Sequence, residues 1–221
     1  MWPRRWEGRE RPVEELWTRT APKGGPWSHK EGRVAQVTSL ALADALIESG
    51  GADRVVLVPC AVGGTSIVEW LPDPEDAAKA GTLFGNCLQA ARFAKGLRDV
   101  AGFFFHQGES DARDWIRGPY WEPMARTVLI AFREELQAPG LPIVLGRLGD
   151  LSRETKKERR WLDDVVDGQA RLTLPRVSKV ETTDLPMKSD YVHYSLEGQL
   201  ELGCRYEKAW SALEPRCGDV S

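Results

Sequence analysis

Histidine is scarce in this chain: three residues in 221, His29, His106 and His193, so an imidazole-dependent reaction has few places to be. Cysteine is nearly as sparse. Its four thiols (Cys60, Cys87, Cys204, Cys217) are widely spaced and form no C-x-x-C pair, which argues against a zinc site or a dense disulfide framework and for buried free thiols. No apolar run approaches the roughly 18 residues of a membrane span, and Met1 to Gly8 carries charges without an apolar core, so no leader or anchor is read there. The chain is expected to be soluble, without membrane contact, and cytoplasmic by default. Net charge is only -3, with acidic and basic residues interspersed. That leaves no basic face for nucleic acid and suits a small or neutral substrate. Repeats and low-complexity segments are also absent.

Hydrophobic residues make up 42% of the chain, enough to fill the core of one domain of this size. Residues 1–33 do not contribute to it in any regular way. Four tryptophans (Trp2, Trp6, Trp17, Trp27) stand there among charges and prolines without helical or strand period, and the stretch reads as an irregular arm pinned by its aromatics. Residues 34–221 form the domain proper. Val34 to Ser49 shows helical spacing and stops at Gly50-Gly51. A strand is predicted over Arg54 to Pro59, a helix from about Asn86 to Leu97, and a strand over Val100 to Phe105. A long helix follows from about Tyr120 to Gln137, then a buried strand over Leu141 to Leu148 and a helix containing Trp161, Leu162, Val165 and Val166. A last strand at about Val177 to Thr182 leads to a final helix capped by Ser195 and running to about Leu213. This alternation predicts an α/β fold: parallel βαβ units in a three-layer sandwich.

Three stretches carry polar residues to places where chemistry is usually done. Phe103-Phe104-Phe105 ends abruptly in His106-Gln107-Gly108-Glu109-Ser110-Asp111, a buried strand running into a polar loop, and the carboxyl ends of parallel strands are where ligands bind. The apolar run Val55 to Val58 leads to Gly63-Gly64-Thr65-Ser66, where two glycines let backbone N–H groups approach a ligand. Asp190-Tyr191-Val192-His193 places a carboxylate beside an imidazole on a turn.

Together and in this order, the three stretches resemble the sialate O-acetylesterase-like branch of the SGNH hydrolases, which includes acetylxylan esterases. The resemblance runs from about Gly32 to about Leu213. It implies a flavodoxin-like α/β/α sandwich with a mainly parallel sheet, and a carbohydrate-type O-acetylesterase that uses a serine-esterase mechanism, no cofactor and no metal. His193 matches the family's general base and Asp190 the acid that orients it. Glu109 is a second candidate for that acid. Gly64, with Gly63, matches the turn whose N–H faces the oxyanion, and Gln107 stands where many SGNH enzymes place an asparagine donor. His106 is expected to pack behind the site. Glu69, Trp70, Asp111, Asp114 and Trp115 are candidate rim residues for a sugar.

The family's nucleophile lies in a Gly-Gln-Ser-Asn segment after the first strand, and this chain has neither the segment nor, in residues 1–33, an aliphatic run able to form that strand. In a flavodoxin-like order the strand is central, and its loss would leave unpaired backbone groups at about 1–3 kcal/mol each. Three explanations are open. The chain is an N-terminally truncated form; or it is an inactive relative that binds an acetylated glycan or other ligand in the residual cleft; or another serine serves, with Ser66 best placed and Ser28 and Ser110 behind it. The partner is a small-molecule or glycan ester, and an unpaired strand position would favour self-association.

Overall fold

The computed structural model describes residues 37–95, 99–149 and 158–213. The proposed arm at 1–33, with its tryptophans, Ser28 and His29, lies outside them, as does Cys217. Helix α1 (Val37–Glu48) comes first, then a one-turn 3-10 helix (Ile67–Trp70) and α2 (Leu83–Lys95). Strand β1 (Phe103–His106) is followed by a short 3-10 turn (Asp111–Arg113) and α3 (Trp121–Glu135), and β2 (Ile143–Gly146) by α4 (Leu162–Arg171). Strand β3 (Val177–Val180) precedes the last helix, α5 (Leu196–Ser211). The strands form a parallel sheet in the order β1-β2-β3, with Phe103 opposite Ile143 and Ile143 opposite Val177.

Strand side chains alternate between faces, and the sheet sorts them cleanly. Phe103, Phe105, Ile143 and Leu145 face α2, α3 and α4, where Leu88, Leu129, Phe132 and Val165 complete the larger core. The Phe103 ring lies 4.4 Å from that of Phe132, a stacked pair worth about 0.5–1.5 kcal/mol beyond its buried area. Phe104, Val144 and Val180 point the other way, toward Leu42 and Leu46 of α1 and Leu202 and Tyr206 of α5. Helices therefore cover both faces of a parallel sheet, the α/β architecture that the alternation predicts.

One element departs from expectation. Arg54 to Pro59 is irregular rather than a strand, and among the described residues the free edge of β1 has no ladder partner. An apolar run specifies burial, whereas a strand needs a neighbour for its N–H and C=O groups. Val56 is left 37% exposed in consequence. The glycine turn that follows is held to the sheet by side chains instead of a β-ladder.

Candidate active site

Alternation along β1 sends successive residues at its carboxyl end to opposite sides. Gln107 follows the Phe103 and Phe105 face and is buried, its Oε1 accepting the indole N–H of Trp121 at 2.6 Å. Its Nε2 donates to Asp111 Oδ2 at 2.5 Å and to the Thr65 carbonyl at 3.2 Å. Both amide hydrogens are thus used within the protein, and a role as oxyanion donor would require one to be released. Asp111 is fully buried rather than on a rim. Its two carboxylate oxygens accept the Ile67 N–H at 3.1 and 3.0 Å. Burial pushes the Asp111 carboxyl above the usual aspartate range, against the opposing hydrogen bonds from Gln107 and Ile67 and the nearby Arg117 charge.

Those contacts bring the glycine turn to the end of β1. Gly64 sits at φ +77°, in the left-handed region that favours glycine, and nothing lies within 4 Å of where a Cβ would stand on either Gly63 or Gly64. Two exposed positions with open space beside their backbone are what a turn facing a ligand needs. Ser66, two residues on, is not offered to a ligand. It is 1% exposed and caps the 3-10 turn, its N–H and its hydroxyl both donating to Glu69 Oε2 at 2.7 and 2.8 Å. As a nucleophile, the last of the alternatives the sequence leaves open, Ser66 would first have to release its hydroxyl from Glu69 and become exposed. Trp70 is also buried, its indole N–H donated to Thr65 Oγ1, so of the rim candidates Glu69 and Trp115 are the exposed ones, Trp115 at 68%.

His106 takes the opposite face of β1, toward α5. Its Nε2 is 3.4 Å from Glu109 Oε1 and its ring meets the edge of Tyr194 at 5.7 Å. Burial raises the Glu109 carboxyl, but the hydrogen bond and charge of His106, with smaller help from its own backbone and Arg159, more than offset it, leaving the group below its ordinary value. Glu109 is thus committed to His106, not to His193. The Tyr194 hydroxyl donates to Thr182 Oγ1 at 2.7 Å, and burial pushes its pKa up to about 12.

Tyr194 adjoins the third stretch, so the loop after β3 and the loop after β1 meet at one edge of the sheet. In the Asp190 turn, the Lys188 N–H donates to the His193 carbonyl at 2.7 Å, and Tyr191 adopts φ +53°, uncommon for a bulky residue. Asp190 Oδ1 accepts the N–H groups of Val192 and His193, both at 2.9 Å, and Oδ2 lies 2.8 Å from His193 Nδ1. The backbone N–H of His193, that of Val192 and then the imidazole hold the Asp190 carboxyl far below the usual aspartate range. The His193 side chain is 71% exposed, and among the described residues Asp190 is its bonded partner, through Nδ1, and none is bonded to Nε2. Among the described residues no serine hydroxyl is hydrogen-bonded to that imidazole, and no cluster of three or more His, Cys, Asp or Glu side chains is arranged to hold a metal.

Sequence reading missed the supports. Trp121 begins α3 and was expected only as a helical residue. Gln169, fully buried, donates to the Gln107 carbonyl at 3.1 Å and accepts the Leu148 N–H at 2.8 Å, joining the ends of β1 and β2. A lone glutamine inside a helix pattern gives no sign that it faces strand ends.

The chain thus sets a histidine–aspartate turn and a glycine turn on loops of a parallel α/β sheet, and comparison with known proteins places it in a family. A family model described as carbohydrate esterase, sialic acid-specific acetylesterase matches residues 4–212, and the chain belongs to that family. The match begins inside the stretch set apart as an arm. A probable carbohydrate esterase of Arabidopsis thaliana is 29% identical over 183 residues, 81% of this chain and 65% of that protein, so the chain spans about two thirds of its relative's length. The crystal structure of an Arabidopsis thaliana protein has TM-score 0.69 and 27% identity, over 79% of this chain and 68% of that one. A carbohydrate acetylesterase from Xanthomonas citri shares the fold at TM-score 0.66 and 18% identity, over 80% of this chain and 40% of its own. Among the described residues no helix is long and apolar enough to cross a membrane.

Proposed function

We propose that the chain is a carbohydrate-type O-acetylesterase of the SGNH class, acting on an acetylated glycan or a smaller sugar ester. The observation that carries this reading is the preformed His193–Asp190 pair, whose Nε2 has no hydrogen-bond partner among the described residues, on a loop whose Tyr194 meets His106 at the carboxyl end of β1. His193 takes the proton of an attacking hydroxyl and returns it to the departing sugar oxygen. Asp190, ionised and bound to Nδ1, fixes the ring's tautomer and offsets the charge it gains. Backbone N–H groups of Gly64 and Gly63 receive the negative charge on the tetrahedral carbon's oxygen. The acyl group passes through a covalent serine ester that water then cleaves. In this reading Gln107 holds the glycine turn in place, and Glu109 serves His106.

The mechanism needs a hydroxyl within about 2.6–3.2 Å of His193 Nε2. No described serine is bonded there, and Ser28 lies outside the described residues. A chain in which no hydroxyl reaches that position would be a relative that binds an acetylated glycan without cleaving it. Hydrolysis of p-nitrophenyl acetate by this chain and by His193→Ala separates the two. Loss of activity in the variant supports the esterase. Equal, near-background rates in both proteins leave the binding reading.

A further inference from the structure

The glycine turn has no strand behind it, and its placement must come from elsewhere. Val55 to Pro59 makes no ladder, and Gly63 and Gly64 touch nothing through a side chain. Apolar anchoring flanks the turn: Cys60 and Val62 pack partly buried against the larger core before it, and Ile67 and Trp70 are buried in that core after it. Such packing fixes a segment's depth but is not directional. Within the segment, Thr65 Oγ1 donates to the Val62 carbonyl and accepts the Trp70 indole N–H, while the directional contacts that reach across to the loop after β1 are few. Thr65 gives its carbonyl to Gln107, and the Ile67 N–H points into the Asp111 carboxylate, whose Oδ2 also receives Gln107. Asp111 belongs to a single turn beginning five residues after the end of β1, is fully buried, and has no salt-bridge partner within bonding reach among the described residues. Burying a carboxylate that way is costly, and the cost is tolerated where its hydrogen bonds fix something.

We propose that Asp111 is a positioning residue that sets the orientation of the Gly63–Gly64 backbone relative to the loop after β1, by receiving the Ile67 N–H and the Gln107 side chain in one carboxylate. The assignment of those glycines to the oxyanion rests on the function proposed above; the clamp itself does not. An asparagine at 111 has nearly the same shape but exchanges one acceptor for a donor. With its oxygen toward Gln107, its N–H₂ faces the Ile67 N–H, two donors meeting where donor and acceptor met. The joint then opens and the turn is freed while the core around Ile67 and Trp70 stays apolar and packed.

Amide hydrogen exchange on the intact protein tests the clamp without any variant. The Ile67 N–H, in a single isolated turn, should exchange at least about tenfold more slowly than the amides of Val62 to Gly64, because it is donated into a buried acceptor. Exchange at Ile67 as fast as in that loop would overturn the proposal. In Asp111→Asn, exchange over residues 61–70 should rise by about tenfold while β2 amides stay within about twofold. For an acetyl ester, kcat should fall about tenfold or more with KM held within about twofold, the pattern of lost transition-state geometry rather than lost binding. Unchanged exchange and unchanged kcat in the variant would refute the assignment. If the unaltered protein cleaves no ester, the esterase reading fails and the exchange measurements still decide the clamp.

Discussion

Trp121 donates its indole N–H to Gln107 Oε1 at 2.6 Å, tying the first residue of α3 to the first residue after β1. The carboxamide is thereby fixed at both ends, oxygen to Trp121 and nitrogen to Thr65 and Asp111. Trp121→Phe keeps most of the ring and removes the donor, leaving a buried oxygen without a partner. A loss of about 1–3 kcal/mol is expected. Thermal unfolding should register it as a fall of a few degrees, with any esterase rate reduced because Gln107 can turn.

The His193–Asp190 pair behaves differently, being exposed. His193→Ala should change folding stability by no more than about 0.5 kcal/mol, as surface substitutions do, and Asp190→Asn, which keeps an oxygen for the Val192 and His193 N–H groups, should cost about 0.5–2 kcal/mol as a weakened cap. If the proposed mechanism holds, His193→Ala removes hydrolysis and Asp190→Asn lowers kcat by about a hundredfold or more. Denaturant titration beside a rate assay with p-nitrophenyl acetate checks both.

Asp190 also makes a statement about pH. Its carboxyl is held below the ordinary aspartate value by the His193 and Val192 N–H groups and the imidazole, so its favourable interactions are complete above that ordinary value and are lost only as pH falls through the depressed one. Ionisation of Asp190 should therefore leave no step in the rate between about pH 4 and pH 5, where an unperturbed aspartate would still be titrating. A pH–rate profile for this chain with an acetyl ester is the measurement, and a limb centred there that disappears in Asp190→Asn would contradict it.

Ser66 and two glycines give contrasting outcomes. Ser66→Ala should cost about 0.5–2 kcal/mol as a lost cap and leave the chemistry of ester hydrolysis in place. A total loss of activity in a folded Ser66→Ala protein would identify Ser66 as the nucleophile. Gly64→Ala should cost about 1–2 kcal/mol for its left-handed backbone, since open space surrounds the new methyl. At Gly146 the methyl would instead press on the Tyr206 hydroxyl and His106 Nδ1, and about 1–3 kcal/mol of overpacking is expected. Calorimetry on the three variants distinguishes cap, strain and clash.

Much of this was legible in the residues. Helical spacing located α1, α3 and α5 within a few positions, and the aromatic run Phe103 to Phe105 marked β1, because burial on both faces forces apolar side chains throughout. The Asp190–His193 spacing carried its own geometry, since an aspartate that accepts two N–H groups from its own turn needs no distant partner. Val55 to Pro59 misled because apolar content cannot report whether a neighbouring strand exists. Asp111 was read as a rim residue and Ser66 as a possible nucleophile for a shared reason: a polar side chain in a loop looks solvated until its acceptor or donor is known. Gln169 and Trp121 stayed hidden because their partners lie 62 and 14 residues away.

The turn from Lys188 to His193 closes on itself through bonds that span at most five residues. The acid and its imidazole are consequently a self-contained cartridge, cocked before any ligand arrives and indifferent to what occupies the neighbouring loops. If the proposed function holds, substitutions in the glycine turn or around Trp115 can change what is bound while leaving this pair as it is, so that selectivity and proton transfer vary independently.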